Sequence, residues 1–286
     1  MRAKKIVRIL LYTTFILVII FSAGYIVKSY MVSREAAAER ELLNEIELED
    51  GKVNYSNNNV KQEESNGTAE ETEAEKKASK EKETRERMLK VKKLQEQNED
   101  IVGWLEIEGT SVSYPVLQGD DNVFYLTHNY KKEETEKGSI FLNADYDWDI
   151  PSNNLVIYGH NLVNGQMFKE LLKYSKEEFY KEHPVIRFTT EKKDMNFEVM
   201  SAFKSKVFYE NEQDVSRYYE FMNSKSKKEY KNFVKNAKKA SIYDTGVTAE
   251  YGDQLITLIT CSYHTDDGRF VLIAREKDFG MVNTEK

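Results

Sequence analysis

The sequence predicts a mainly β fold: a closed or nearly closed barrel of eight short strands with helical decoration, set behind a membrane-spanning helix and a charged stalk. Three observations predict it. Beyond residue 100 lie eight runs rich in β-branched and aromatic residues, punctuated by Gly, Asn and Asp clusters. Near the N-terminus lies one long apolar stretch without a charge. Between the two the composition turns polar, and Tyr55 is the single aromatic residue of positions 33–100.

Composition narrows the function classes. The 286 residues carry a net charge of −7, with no basic excess, which argues against a dedicated nucleic-acid binder. One cysteine excludes an intramolecular disulfide and any multi-cysteine zinc or iron–sulfur site. The charge is unevenly spread, at +5 over residues 1–32, −6 over 33–100 and −6 over 101–286.

Residues 9–27 form a 19-residue run without a charged side chain. As a helix it would span roughly 28 Å, close to the thickness of a bilayer's hydrocarbon core. Four basic residues precede it, so 1–8 is expected in the cytoplasm and everything after Lys28 outside. A cleaved signal peptide is the alternative. The run exceeds the usual apolar region of about 7–15 residues and no clear A-x-A site closes it, which favours a retained single-pass anchor.

Residues 28–83 read as a largely disordered extracytoplasmic stalk, too charged to bury the apolar surface that would offset its ordering entropy. Met88, Val91 and Leu94 recur at three-residue spacing, which predicts a helix over 84–97 docked on the folded domain of residues 84–286. The barrel is expected over 101–275, with strands at 102–107, 112–117, 139–142, 155–158, 185–189, 197–207, 254–260 and 270–274. Helical patterns fall at 167–174, 176–181 and 216–239.

Candidate chemistry centres on Cys261, at the end of the seventh expected strand. A packed, inert thiol is the plain alternative, but an unpaired thiol outside the membrane is exposed to oxidation and uncommon without a use. If 254–260 and 270–274 form a hairpin, Arg269 faces Cys261 across it, with backbones roughly 5 Å apart. Arg275 ends an apolar run and is expected on the solvent face. Of the four histidines, His160 stands at a strand terminus in Y-G-H-N-L, while His128, His183 and His264 lie in loop-like contexts. His264 is close to Cys261 in sequence and competes with His160 as its partner. A metal site would need Cys261, His160 and His264 to converge, which the spacing does not require. The acidic run at 145–149 is no EF-hand loop, because Ile150 and Val156 stand where Gly and Glu are needed.

Taken together, Y-G-H-N-L at 158–162, T-L-I-T-C-S-Y at 257–263 and G-R-F-V-L at 268–272 resemble the sortases. N-E-D-I-V-G-W-L-E-I at 98–107, T-S-V-S-Y-P-V-L-Q at 110–118, D-N-V-F-Y-L at 121–126 and G-S-I-F-L at 138–142 resemble class B in particular. The resemblance covers about 98–274. One departure is Asn143, which follows I-F-L where the family usually has Asp.

The resemblance implies a sortase-like eight-stranded barrel with N-terminal helices and a long helix before the last strands. It also implies a cysteine transpeptidase, anchored in the bacterial cell membrane, with His160, Cys261 and Arg269 as its catalytic residues. The implied reaction cleaves a C-terminal sorting signal after Thr through a thioester, then joins the protein to an amine of peptidoglycan or a lipid-linked precursor. No cofactor, metal or nucleic acid is implied. A surface cysteine endopeptidase without amine transfer and a non-catalytic wall-binding module are the alternatives.

Overall fold

Eight strands close on themselves in the computed structural model, which describes residues 14–27, 30, 73–149, 154–163 and 165–277. The chain divides into two units, residues 1–66 and 67–286. In the first, helix α1 covers residues 14–27 with its described side chains exposed. Among the described residues no helix is long and apolar enough to cross a membrane. Residues 9–13 of the expected span, the N-terminus 1–8 and stalk residues 31–72 lie outside the described residues.

The second unit opens with α2 (Glu73–Gln97). It begins well before the expected start near Thr84. Residues 73–83 are mostly Ala, Glu and Lys, all strong helix formers, and Glu83 continues the ladder of side-chain pairs with Arg87 one turn on. The apolar stripe packs as its spacing predicts, with Val91 and Leu94 fully buried. Arg87 anchors the helix to the barrel, its Nη2 lying 2.6 Å from the Asp194 carboxylate, while Lys90 Nζ sits 3.9 Å from the Trp104 ring centroid.

The strands are β1 (Ile101–Glu106), β2 (Ser113–Leu117), β3 (Ile140–Leu142), β4 (Asn154–Tyr158), β5 (Val185–Thr189), β6 (Asp194–Lys206), β7 (Leu255–Cys261) and β8 (Gly268–Glu276). Their order around the closed barrel is β1-β2-β3-β4-β7-β8-β6-β5. β4 and β7 run parallel, with Tyr158 beside Ile259. β7 and β8 form an antiparallel hairpin. A 3-10 segment (Phe168–Ser175), α3 (Glu177–Glu182) and α4 (Lys227–Ala240) decorate the barrel.

The expected helix over 216–239 is therefore shorter. Only a 3-10 turn forms at Tyr218–Glu220, and α4 starts after Ser226, whose hydroxyl accepts the Glu229 N–H at 3.2 Å. Glu229 in turn accepts the Lys225 N–H at 2.7 Å. Such a reciprocal cap contributes about 1 kcal/mol and fixes the first turn where periodicity alone does not.

Two apolar layers make the core. Ile256 and Leu258 of β7, with Phe270, Leu272 and Ala274 of β8 and Leu155 and Ile157 of β4, point into the barrel. Their alternates, Val156, Leu255, Ile259, Val271 and Ile273, point outward beneath α4 and pack on Phe233, Val234 and Ala237. Strands covered on both faces read as continuous apolar runs, and this explains β7 and β8.

Candidate active site

Period-two alternation also fixes which face carries the site. Cys261 shares its parity with Leu255 and Ile259, Arg269 with Val271 and Ile273, and Tyr158 with Val156. All three therefore belong to the outer face of β4, β7 and β8, at the end where Tyr158 closes β4.

Cys261, the last residue of β7, is half-buried and unpaired. It pairs directly with Arg269 in the β7–β8 ladder. Arg269 is half-buried, and its Nη1 donates to the Gly268 carbonyl at 3.0 Å. The Ser262 N–H closes the hairpin onto the Gly268 carbonyl at 2.9 Å, and Gly268 is required here because a Cβ would lie 2.1 Å from the Ser262 carbonyl oxygen.

His160 is carried to the same level by β4, the parallel neighbour of β7. Four hydrogen bonds lock its backbone. The Gly159 N–H donates to the Ile259 carbonyl (3.1 Å) and the Thr260 hydroxyl to the Gly159 carbonyl (2.8 Å). Asn161 Nδ2 donates to the Cys261 carbonyl (2.8 Å), and the Phe168 N–H to the His160 carbonyl (2.9 Å). Gly159 permits the approach, since a Cβ would sit 2.4 Å from Ile140 Cδ1. His160 Nε2 lies 2.8 Å from the Leu126 carbonyl oxygen. A carbonyl only accepts, so Nε2 carries the proton and, in the neutral ring, Nδ1 keeps its lone pair.

That carbonyl is itself positioned by sequence. Asp121 Oδ1 accepts the Val123 and Phe124 N–H groups, both at 2.8 Å, and so starts the 3-10 turn Phe124–Leu126. These two bonds hold the Asp121 carboxyl below its usual range.

The other histidines lie elsewhere. His264 is exposed on the hairpin loop, with Nδ1 3.0 Å from Ser262 Oγ. His128 stacks on Phe124, ring centroids 4.0 Å apart, and His183 Nδ1 donates to the Glu108 carbonyl at 2.8 Å. Arg275 does not simply face solvent as expected. At the far end of β8 it is half-buried between Glu198 (3.2 Å) and Asp253 (3.9 Å), because its cross-strand partner Glu198 offers a carboxylate. Among the described residues no group of three or more His, Cys, Asp or Glu is placed to hold a metal ion.

Sequence reasoning missed the framework around these residues. Thr260 and Asn161 stitch β7 to the segment after β4, and both flank the singled-out residues in T-C and H-N. Tyr158 was also missed. Burial, with the Asp145 charge, holds its phenol ionisation above the usual range, against the lowering by the Asn143 amide and the Arg269 charge.

Comparison with known proteins bears on this arrangement. A family model described as the Sortase domain matches residues 105–277. Sortase B of Listeria monocytogenes is 36% identical over 181 residues, covering 63% of this chain and 70% of that protein. The crystal structure of Clostridium perfringens sortase B is 31% identical, with a TM-score of 0.60, and the match covers 65% of this chain and 99% of that one. A Staphylococcus aureus sortase B–substrate complex is 27% identical, with a TM-score of 0.59 over 71% of this chain and 98% of that one. With the Sortase domain matched across the barrel and sortase B proteins matched in both sequence and structure, the chain belongs to the sortase family of cysteine transpeptidases, in its class B.

Proposed function

We propose that this chain is a membrane-anchored sortase that cleaves a C-terminal sorting signal after a Thr and transfers the acyl group from Cys261 to an amine of peptidoglycan or its precursor. The observation that carries this reading is the Cys261–Arg269 cross-strand pair, with His160 held at the same level by the neighbouring strand. A solved sortase B–substrate complex and a sortase B complexed with triglycine support a peptide substrate and an amine acceptor.

In this mechanism the Cys261 thiolate attacks the Thr carbonyl carbon. The C=O electrons move to oxygen, and the resulting oxyanion takes hydrogen bonds from the Arg269 guanidinium. Collapse breaks the C–N bond as protonated His160 delivers its proton to the departing amine, leaving a thioester. Because Nε2–H is engaged by the Leu126 carbonyl, the proton moved is the one on Nδ1. An incoming amine then attacks the thioester, gives its proton to Nδ1 and releases the Cys261 thiolate. The thioester preserves the acyl energy, so an amine can compete with water.

The uncharged run at 9–27, preceded by four basic residues, supports a single-pass anchor with the barrel on the outer face of the membrane. The test uses the full chain in detergent with a pentapeptide library, with and without triglycine, and product masses read by mass spectrometry. Peptide fragments joined to triglycine are expected. Hydrolysed fragments alone, even at high triglycine, would replace transfer with hydrolysis. No turnover, together with a Cys261 that resists thiol reagents, would leave a wall-binding module.

A further inference from the structure

A chain of polar side chains runs up the barrel wall to Tyr158, and the reaction above makes no use of it. The Ala144 N–H donates to Asn122 Oδ1 at 2.8 Å, which turns the Asn122 amide nitrogen toward Asn143 Oδ1, 3.4 Å away. Asn143 Oδ1 also accepts the Asp145 N–H at 2.9 Å. A backbone N–H can only donate, so neither amide can be flipped. The buried Asn143 side chain must therefore present its NH2 to the Tyr158 hydroxyl at 3.0 Å. Tyr158 accepts that bond, and its own proton must point elsewhere. Among the described residues no group accepts it.

The position of Tyr158 says where that proton is offered. It lies on the outer face of β4, two residues before His160, half-buried, with Phe141 packed against its ring at 5.3 Å. Arg269, on the same outer face by strand register, is donor-only and cannot accept the proton, and Asp145, whose charge also acts on the phenol, makes no hydrogen bond to it. The phenol and the guanidinium therefore present donors to the same space.

We propose that Asn143 is a positioning residue that sets the hydrogen-bond polarity of Tyr158, making the phenol a donor to an acceptor oxygen of the peptide bound beside Cys261. This rests on the reading of His160, Cys261 and Arg269 as the catalytic centre. An aspartate at 143 would keep the same skeleton with the opposite sense. Its carboxylate would accept from the Asp145 N–H, from Asn122 and from the phenol alike, drawing the tyrosine proton inward and leaving a lone pair toward the peptide. One atom at position 143 thus decides whether the wall favours a carbonyl or an N–H on the substrate.

The test is a double-mutant cycle on the full chain in detergent, using the pentapeptide best turned over from the library. Tyr158→Phe is expected to lower kcat/KM about tenfold, the scale of one lost hydrogen bond, mainly through KM. Asn143→Asp should lower it equally with little change in thermal midpoint. The double variant should be no worse than either, because both remove the same proton from the site. Wild-type kcat/KM in Asn143→Asp, or losses that multiply, would overturn the proposal. A Cys261→Ala control separates the two claims. If it still turns over peptide, the catalytic-centre reading fails. If it is dead while Asn143→Asp and Tyr158→Phe match wild type, only the polarity claim fails. Tyrosine 13Cζ titration reads the polarity without turnover. Asn143→Asp replaces a donor by an anion and should move the Tyr158 ionisation upward, whereas an unchanged or lower midpoint would overturn the assignment.

Discussion

The Asn161 side chain donates its amide to the main-chain carbonyl of Cys261 across 2.8 Å, tying the residue after His160 directly to the proposed nucleophile. β4 ends at Tyr158, and the main-chain pairing with β7 runs one bond further, from the Gly159 N–H to the Ile259 carbonyl. Beyond that bond a side chain, Asn161, ties the His160 segment to Cys261 itself.

Asn161→Ala removes that tie without touching a reacting atom. Turnover should fall by about ten- to a hundredfold, since small misplacements of reacting groups are costly. The thermal midpoint should fall by only a few degrees, as expected for one net hydrogen bond. Steady-state kinetics beside a thermal melt check this, and unchanged kcat would show that β4 and β7 hold their ends without it.

His160 and His264, the two candidate partners of Cys261, should behave oppositely. His160→Ala should abolish turnover with the fold intact by circular dichroism. His264→Ala should change turnover little, because that ring is exposed on the hairpin loop and hydrogen-bonds only Ser262 among the described residues. A dead His264→Ala beside an active His160→Ala would reverse the acid–base assignment.

Arg269→Lys keeps the charge but loses the planar fork that can meet an oxyanion and a substrate carbonyl together. Acylation should slow by at least about 10²-fold, the scale of losing one oxyanion donor, with little change in melting. Arg275→Lys should leave acylation unchanged and lower the thermal midpoint modestly, because Arg275 joins Glu198 and Asp253 far from Cys261. Measuring acylation with a fluorogenic sorting-signal peptide separates the two arginines, and the opposite ranking would move the site along β8.

Much of this was legible in the sequence, for identifiable reasons. The strands β4, β7 and β8 are apolar runs bounded by Gly, Asn and Asp, and the register that places Arg269 opposite Cys261 follows from a hairpin of that loop length. Helix boundaries were less legible. The start of α4 depends on a cap at Ser226 that a periodic pattern running on from Tyr218 conceals, and α2 extends back through charged residues that look like stalk. Tertiary polar contacts were least legible. Nothing in the spacing of Asn122, Asn143 and Tyr158 announces a network whose members are brought together only when β3 and β4 pair. Arg275 reads as solvent-facing because it follows an apolar run, while its partner Glu198 lies 77 residues away in sequence.

Asp121 gives a signed pH dependence. Its carboxyl is held below the usual value of 3.8 by the Phe124 and Val123 N–H groups. The stabilisation is therefore complete above about pH 4–5 and is lost as pH falls through the lower folded value. The thermal midpoint of wild type should exceed that of Asp121→Asn at neutral pH, and the gap should close below pH 3.8. A gap that persists unchanged into that range would mean the capping bonds do not need the charge.

Passage of the acyl group through Cys261 can be caught by intact-protein mass spectrometry. The full chain is mixed with a cleavable sorting-signal peptide, quenched in acid within one turnover and mapped by fragmentation. The expected result is an added mass equal to the peptide up to and including its Thr, carried on Cys261 as a hydroxylamine-labile thioester. The adduct should be absent from Cys261→Ala and should disappear from wild type when triglycine is added. Cleavage that proceeds in Cys261→Ala, or an adduct on any other residue, would contradict it.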